Sequence, residues 1–393
     1  MKSCKVRLEQ IADPENLREA FLRAAKGKAH KSDVRAFRAS LDGELAALRE
    51  EILAGTGKVG RFTAFTIFEP KERRIHAPCF RERVLHHALI KPCEADIERW
   101  LIDDTYACRR GKGREAALRR AEHYAGRHAW FLKLDVRKYF DSVPHSVLLA
   151  EVARRFRDRR VVSLWTRIVS AYGTTPGCGL PVGALTSQHL ANFYLGVVDR
   201  FVKETLRVPG YVRYMDDMAL WADDKQSLHA AKNQIDALLR DGLGLTLKSN
   251  WLLQPTAHGM GFLGYRVGRA GSRLNRLSRR RFVRRWRWIE RALEGGRIGE
   301  DAAQRRVLAM AAFARVARRE TILQRLFGSA KAAPKSEHRH RAPTASIAAA
   351  VETTRLTTAA PPTATGTTRT TGTTTSVSVW PSAHARDPEG SGD

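Results

Sequence analysis

The chain has 393 residues, enough to bury a large core. Its formal net charge is +28, and the basic side chains would repel one another unless a strongly anionic partner were bound. Nucleic acid is the first candidate for that partner and a membrane surface is the second. The sequence has no run of about 18 apolar residues, no signal pattern at Met1 and no paired cysteine spacing, so we expect a cytoplasmic protein with reduced thiols and neither a membrane span nor a zinc site.

The first half of the chain alternates between helical and strand patterns. Apolar and charged residues interleave at helical spacing over 14–54, strand patterns follow over 58–78, and helical spacing returns over 81–101. After a basic loop, the segment 131–143 predicts a strand that runs into a turn, and 146–172 is helical. We therefore predict an N-terminal helical layer followed by a mixed region of strands and helices.

The second half repeats this alternation and ends in a tail of different composition. We predict a loop and a long helix over 179–206, a hairpin that turns at 215–217, a helix over 225–241, and a strand over 259–267. A basic helical segment spans 276–327. Beyond about residue 330 the sequence is rich in Thr, Ala, Pro, Gly and Ser with few large apolar residues, which predicts disorder.

Two apolar strand patterns end in acidic residues. Asp135 follows "FLKL", and Asp216 with Asp217 follows "YVRYM". If the two strands are neighbours, these carboxylates converge at one edge of a sheet and form an oxygen-rich site suited to Mg²⁺. Two such ions could clamp the attacking and leaving oxygens of a phosphoryl transfer. The alternative is that the acidic residues merely favour a turn, and that is our interpretation of the second pair, Asp223 and Asp224.

The segments "LDVRKYFD" at 134–141 and "YMDD" at 214–217 resemble, in this order, the palm motifs of reverse transcriptases. The resemblance implies an RNA-directed DNA polymerase of α+β class, built as a right hand with fingers, palm and thumb. It also implies that Asp135 and Asp216 hold two Mg²⁺ ions, or alternatively Mn²⁺, and that Asp217 completes the acidic set. Deoxynucleoside triphosphates, template RNA and cDNA would be its ligands.

The same resemblance divides the chain into four regions. We expect an N-terminal helical region at 1–57, fingers and palm at 58–265, a basic helical thumb at 266–329, and a disordered tail at 330–393. The segment "GMGFLGY" at 259–265 resembles the primer grip.

Three further residues match nucleotide-binding positions of the family. Arg73 matches a basic residue that contacts the incoming triphosphate, and Phe140 matches the aromatic residue that blocks a ribose 2′-hydroxyl. Lys248 lies near the position of a basic residue proposed to protonate pyrophosphate. The alternatives are core packing for Phe140 and a solvated surface position for Lys248.

The segment "VGALTSQ" at 182–188 departs from the common reverse-transcriptase pattern QGxxxSP, because Val182 replaces the usual Gln and Gln188 replaces the usual Pro. It resembles the reverse transcriptases of diversity-generating retroelements, as do the segments at 104–118 and 191–203. That family copies a template-repeat RNA with errors at adenines, its cDNA overwrites a variable repeat by mutagenic retrohoming, and it works with a small helical accessory protein that forms a pentamer. Loss of the Gln amide beside the nascent pair would loosen the check on pairing, whereas a compensating packing change would leave fidelity unaltered.

Other interpretations remain open. The rivals are another bacterial or phage-encoded reverse transcriptase, of retron, group II intron-like or phage-defence type, and an inactive nucleic-acid-binding scaffold. No maturase or endonuclease extension is recognisable, which counts against a complete intron-encoded protein. Because every Thr codon begins with AC, the Thr-rich 366–381 read one frame over permits an Asn-rich peptide. We therefore hypothesise that the gene overlaps the template repeat; the alternative is ordinary low-complexity sequence.

Basic residues cluster at 109–114, 154–160 and 273–293. A charge run is usually a solvated face. In the last cluster, Phe282, Trp286 and Trp288 recur among arginines at helical spacing, which predicts an amphipathic helix that packs its aromatic residues inward and presents guanidinium groups to phosphates. Part of this surface could instead bind a protein partner.

Overall fold

The computed structural model describes residues 4–68 and 72–316, and over these ranges the chain is a mixed fold of helix and sheet, in agreement with the predicted class. The predicted tail, 330–393, lies outside the described residues, as does the end of the predicted thumb from residue 317 onward. The helices are α1 Leu8–Ile11, α2 Pro14–Ala25, α3 Ser32–Ala39, α4 Leu41–Ala54, α5 Phe80–Trp100, α6 Arg114–Arg127, α7 Tyr139–Ser142, α8 His145–Arg155, α9 Arg159–Ser170, α10 Leu185–Tyr194, α11 Gly196–Arg200, α12 Lys225–Ala237, α13 Arg276–Glu294 and α14 Glu300–Arg315. The strands are β1 Phe62–Ile67, β2 Arg73–Pro78, β3 Trp130–Asp135, β4 Gly210–Tyr214, β5 Asp217–Ala222, β6 Leu252–Pro255, β7 Met260–Phe262, β8 Tyr265–Gly268 and β9 Gly271–Leu274.

The N-terminal helices form a layer on α5. Helix α2 begins where the Asp13 carboxylate accepts a hydrogen bond from the Asn16 amide at 2.9 Å, which satisfies a donor that the first turn leaves free. Phe21 on α2 stacks on Phe37 with ring centroids 5.7 Å apart, and both rings meet Phe80 edge-on. Burial of these rings, rather than helix propensity alone, holds the layer in place.

A four-stranded antiparallel sheet in the order β4-β5-β3-β6 forms the centre of the molecule. Side chains alternate between its two faces because successive strand residues point in opposite directions. One face packs into the core that contains the N-terminal layer and α8–α12, and it carries Leu132, Leu134, Tyr211, Met218 and Leu220. The other face packs against a second core, and it carries Phe131, Val212, Ala219 and Trp221.

The second core is built from α6, the three-stranded sheet β7-β8-β9, and helices α13 and α14. The basic helical segment predicted over 276–327 is two helices as far as it is described, because α13 ends at Glu294, Gly295 caps it, and the chain turns through Gly296 at a φ of +67°. A positive φ is readily adopted by glycine and rarely by other residues, so this pair of glycines ends the helix.

Two other predicted helices are also divided. The segment 146–172 is broken at Phe156 into α8 and α9, and Asp158 caps α9 by accepting a hydrogen bond from the Arg160 amide at 2.9 Å. The helix predicted within 179–206 forms α10 and α11 and ends in a π-helical turn at Phe201–Thr205. All five cysteines are free thiols. Within the described ranges, we find no helix whose length and apolar character would suit a membrane span.

Candidate active site

The three predicted carboxylates lie at one end of the central sheet. Asp135 is the last residue of β3 and Asp217 the first residue of β5, and the two are direct partners in the antiparallel register. Asp216 occupies the two-residue turn between β4 and β5, after Met215. The condition under which the sequence predicts an acidic site, that the two strands are neighbours, is therefore met.

The electrostatic environment disfavours the charged forms of two of these groups. Burial raises the pKa of Asp217 to about 7; Lys133 opposes this shift, and the charges of Asp135 and Asp216 add to it. Burial and the charge of Asp135 likewise raise the pKa of Asp216. In addition, Asp217 Oδ1 is buried and has no hydrogen-bond partner. Carboxylates in such a cluster gain stability from any cation that reaches them.

Two lysines lie on either side of the acidic cluster. Lys248 Nζ lies 2.5 Å from Asp135 Oδ1, and the Lys248 amide donates to the Asp135 carbonyl at 2.8 Å. Lys248 therefore contacts the site instead of standing free on the surface. Lys133 Nζ lies 3.4 Å from Asp217 Oδ2 and donates to the Gly261 carbonyl at 2.7 Å, which joins the acidic cluster to the hairpin of β7 and β8.

Lys133 was not singled out from the sequence, although a signal was present. It stands two residues before Asp135 in a strand pattern, and alternate residues of a strand share a face. A charged residue inside "WFLKLD" could thus have been assigned to the same face as the carboxylate.

The donor set is suited to a divalent cation but is not a complete cage. In the part of the chain that is described, no three His, Cys, Asp or Glu side chains are arranged to hold a metal by themselves. Mg²⁺ usually binds through one or two carboxylates and completes its shell with water and substrate phosphates. A partly assembled set with a buried, unpaired oxygen on Asp217 fits that mode of binding.

Arg73 and Phe140 lie on elements next to the cluster. Arg73 is the exposed first residue of β2, and its charge acts to lower the pKa of Asp216, against the larger effect of burial. Phe140, on the short helix α7 just after β3, is half-buried against the core, with its ring 5.8 Å from that of Tyr139. Partial burial is compatible with both roles considered for Phe140, core packing and contact with a nucleotide.

Val182 and Gln188 flank the start of α10. The Val182 carbonyl accepts a hydrogen bond from the His76 amide of β2 at 2.8 Å, and Gln188 Oε1 accepts one from Cys108 Sγ at 3.6 Å. Gly183 has a φ of +120°, and a Cβ there would lie 2.7 Å from Ile75 Cγ2. The glycine of this motif is therefore required by the close approach of β2.

Helix α13 presents a basic groove next to Val283, lined by Arg279, Arg280, Arg284, Arg287 and Arg291. Of the aromatic residues predicted to face inward, Phe282 is buried and Trp286 is half-buried, with its Nε1 donating to Glu290 at 2.7 Å. The prediction is wrong for Trp288, which is 42% exposed. Its ring instead makes a cation–π contact with the Arg306 guanidinium of α14, which lies 5.1 Å from the ring centroid.

Comparison with known proteins gives a family match over residues 69–267, described as reverse transcriptase (RNA-dependent DNA polymerase). Protein YkfC of Escherichia coli is 26% identical over 321 residues, which cover 68% of this chain and 84% of that protein. The group II intron-encoded protein LtrA of Lactococcus lactis is 26% identical over 139 residues, which cover 34% of this chain and 23% of LtrA.

Among solved structures, the chain is similar to telomerase of Candida albicans in complex with a fragment of telomeric RNA. The identity is 9% and the TM-score 0.44, over 57% of this chain and 48% of that one. The chain thus spans less than a quarter of LtrA and about half of this telomerase chain.

Proposed function

This chain belongs to the reverse transcriptase family, and we propose that it copies a template-repeat RNA into cDNA with errors at adenines, for mutagenic retrohoming into a variable repeat. The observation that carries the polymerase part is the register of the central sheet, which pairs Asp135 with Asp217 and sets Asp216 in the adjoining turn. The retroelement part rests on the "VGALTSQ" segment, with Val182 and Gln188 at its ends.

The acidic cluster would position the reacting groups. Asp135, Asp216 and Asp217 would hold two Mg²⁺ ions, or Mn²⁺, which would supply charge stabilisation at the primer hydroxyl and the triphosphate. Lys248, which contacts Asp135, would donate a proton to the departing pyrophosphate. Lys133 would keep the Asp217 carboxylate aligned with the strand by pairing with Oδ2.

Nucleotide selection would fall to residues around this cluster. Arg73, whose charge reaches Asp216, would contact the triphosphate. Phe140 would exclude a ribose 2′-hydroxyl by its bulk and thereby select deoxynucleotides. The basic groove of α13 would bind the sugar–phosphate backbone of template and product in a salt-sensitive manner, independent of sequence.

Reduced fidelity would follow from the replacement at Val182. The Val182 carbonyl accepts a hydrogen bond from the His76 amide of β2, which holds the backbone at this position. An apolar side chain there cannot donate the hydrogen bond that an amide could offer to the nascent pair. A small helical pentameric accessory protein would complete the active complex.

A second candidate is a bacterial reverse transcriptase of the group II intron type. The observation that favours it is the similarity to LtrA over 139 residues. This candidate would share the polymerase chemistry and differ in RNA partner and in fidelity.

The first test is primer extension on an adenine-containing RNA template with Mg²⁺ and deoxynucleotides, with and without any accessory protein encoded nearby. Asp216→Ala should abolish extension. The matched control is Asp223→Ala, which removes a carboxylate just past the far end of β5, where it binds His128 and the Ala129 amide. Loss of extension in both variants, or in neither, would contradict the assignment of Asp216.

Sequencing of the products separates the two candidates. Errors clustered at template adenines are expected for the retroelement enzyme, and Val182→Gln should lower their frequency about ten-fold if one hydrogen bond of about 1.4 kcal/mol is regained. Uniformly few errors would favour the group II intron type instead. The overlap hypothesis for the tail is tested separately, by whether the gene contains clustered AAC codons in the shifted frame.

A further inference from the structure

A buried ion pair lies next to the turn that carries Asp216. The side chains of Arg213 and Asp199 are both fully buried, and Arg213 donates from Nε to Asp199 Oδ1 and from Nη2 to Oδ2, each at 2.6 Å. Such pairs are often no more stabilising than apolar residues of equal volume, because the loss of hydration offsets the attraction between the charges. Stability alone therefore does not account for this pair.

The remaining donors of Arg213 reach two other segments. Nη1 donates to Asn192 Oδ1 and to the Met215 carbonyl, both at 2.9 Å, and Nη2 donates to the Asn192 carbonyl at 3.0 Å. All five N–H donors of the guanidinium are thus engaged. The bond to Met215 connects the ion pair to the residue that immediately precedes Asp216.

Met215 has a backbone conformation that needs support. Tyr214 and Asp217 are register partners, so Met215 and Asp216 form a two-residue turn, and Met215 has a φ of +58°. A positive φ at the first position of such a turn is typical of glycine. A bulkier residue keeps this conformation where the surrounding structure imposes it.

The ion pair is itself anchored from several sides. Asp199 accepts hydrogen bonds from the Tyr211 hydroxyl at 2.7 Å and from Thr105 Oγ1 at 2.8 Å, and the Arg213 amide donates to the Asp104 carbonyl at 3.0 Å. Helices α10 and α11, strand β4 and the loop before α6 therefore all contact the Arg213–Asp199 pair. An anchor of this kind can impose a strained turn, because none of its groups can move independently.

We propose that Arg213, held by Asp199 and Asn192, is a positioning residue that fixes the Met215 carbonyl and thereby aligns Asp216 with Asp135. The catalytic consequence rests on the proposed polymerase function, whereas the mechanical one, a rigid turn, does not. Both can be measured on the same variants.

The experiment uses Arg213→Lys, which keeps the positive charge but lacks the planar fork that joins Asp199 to Met215. We expect kcat for primer extension to fall about 100-fold, the effect of a misplacement of about 1 Å, while KM for the deoxynucleotide changes less than about two-fold. Hydrogen exchange of the amides at 215–217, measured on the full chain without metal, should accelerate about ten-fold. Asn192→Ala, which leaves the ion pair intact, should show the same pattern to a smaller extent.

The control is Arg81→Gln, which breaks an Arg81–Glu51 pair between α4 and α5 and removes no bond to the turn. At matched loss of Tm, this variant should keep its kcat and its exchange rates at 215–217. The proposal is overturned if both Arg213→Lys and Asn192→Ala lose kcat only in proportion to their folded fraction, as Arg81→Gln does, or if the turn amides exchange at the wild-type rate. If wild-type protein fails to extend primers, the proposed function fails, and the exchange rates still decide whether Arg213 holds the turn.

Discussion

Asp199 on α11 and Asp217 on β5 both adjoin strand β4, and the fold treats their charges in opposite ways. Asp199 receives two donors from Arg213 and one each from Tyr211 and Thr105. Asp217 has a lysine 3.4 Å from one oxygen, and its other oxygen is buried without a partner.

The difference separates a carboxylate whose charge is balanced within the fold from one whose charge a bound cation would stabilise. A buried charge with all its acceptors filled gains nothing from a cation, whereas a cluster of like charges is relieved by one. Sites that bind or react commonly retain such unfavourable groups, and the surrounding structure offsets their cost. Variants at the two residues should therefore change stability in opposite directions.

The largest effect is expected at Asp199. Asp199→Asn leaves the buried Arg213 guanidinium without a countercharge, so the free energy of unfolding should fall by about 3 kcal/mol. Urea denaturation followed by circular dichroism measures this change. Asp241→Asn, which removes an exposed partner of Arg240, is the control and should change little. A loss below about 1 kcal/mol at Asp199 would mean that the pair is not an electrostatic anchor.

Asp217→Asn should raise the free energy of unfolding, the opposite of the change expected for Asp199→Asn. In metal-free buffer at pH 8 this variant should be more stable than wild type by about 2 kcal/mol, because it removes a buried charge that is also repelled by Asp135 and Asp216. The pKa of Asp217 is about 7 in the folded state, against an ordinary value of 3.8. Between about pH 4 and pH 7 the folded wild type therefore keeps a proton on Asp217 that the unfolded chain has lost. Wild-type stability therefore falls as pH rises through this window.

The pH dependence provides an internal check on that prediction. The difference in Tm between Asp217→Asn and wild type should be full above pH 7 and should vanish below about pH 4, where both states are protonated. A difference that stays constant between pH 4 and pH 8 would show that packing, and not charge, sets it.

Addition of Mg²⁺ should reduce the difference in stability between Asp217→Asn and wild type. At about ten times its dissociation constant, Mg²⁺ should stabilise wild type by roughly 1.4 kcal/mol. Asp217→Asn should gain less because it has lost one ligand, whereas Asp223→Ala, which leaves all three carboxylates of the cluster in place, should gain as much as wild type. Differential scanning fluorimetry over a Mg²⁺ titration gives these values. Equal gains for wild type and Asp217→Asn would remove Asp217 from the set of ligands.

The sequence allowed the acidic cluster to be predicted because its members follow strand patterns that local periodicity reveals. To predict that Asp135 and Asp217 lie together, only one assumption was needed, that two apolar strands are neighbours. The ion pair of Asp199 and Arg213 was not predicted, because no local pattern indicates which buried side chains meet across separate elements. Trp288 was misplaced for a related reason: helical spacing assigns it a face, but its contact with Arg306 depends on how α14 packs on α13.

The smallest effect concerns the second acidic pair, which has the same two letters as the first. Asp224 caps α12 by accepting hydrogen bonds from the Gln226 and Ser227 amides at 3.0 and 2.6 Å, which agrees with the turn-favouring role expected from the sequence. Asp224→Ala should lower Tm by roughly 2 °C and leave primer extension unchanged, whereas Asp224→Asn, also a good capping residue, should lower it less. Thermal unfolding of the two variants measures the difference. If Asp224→Ala instead impaired extension without loss of Tm, the acidic site would extend beyond the β4–β5 turn, and an "Asp-Asp" pair would be functional at both ends of β5.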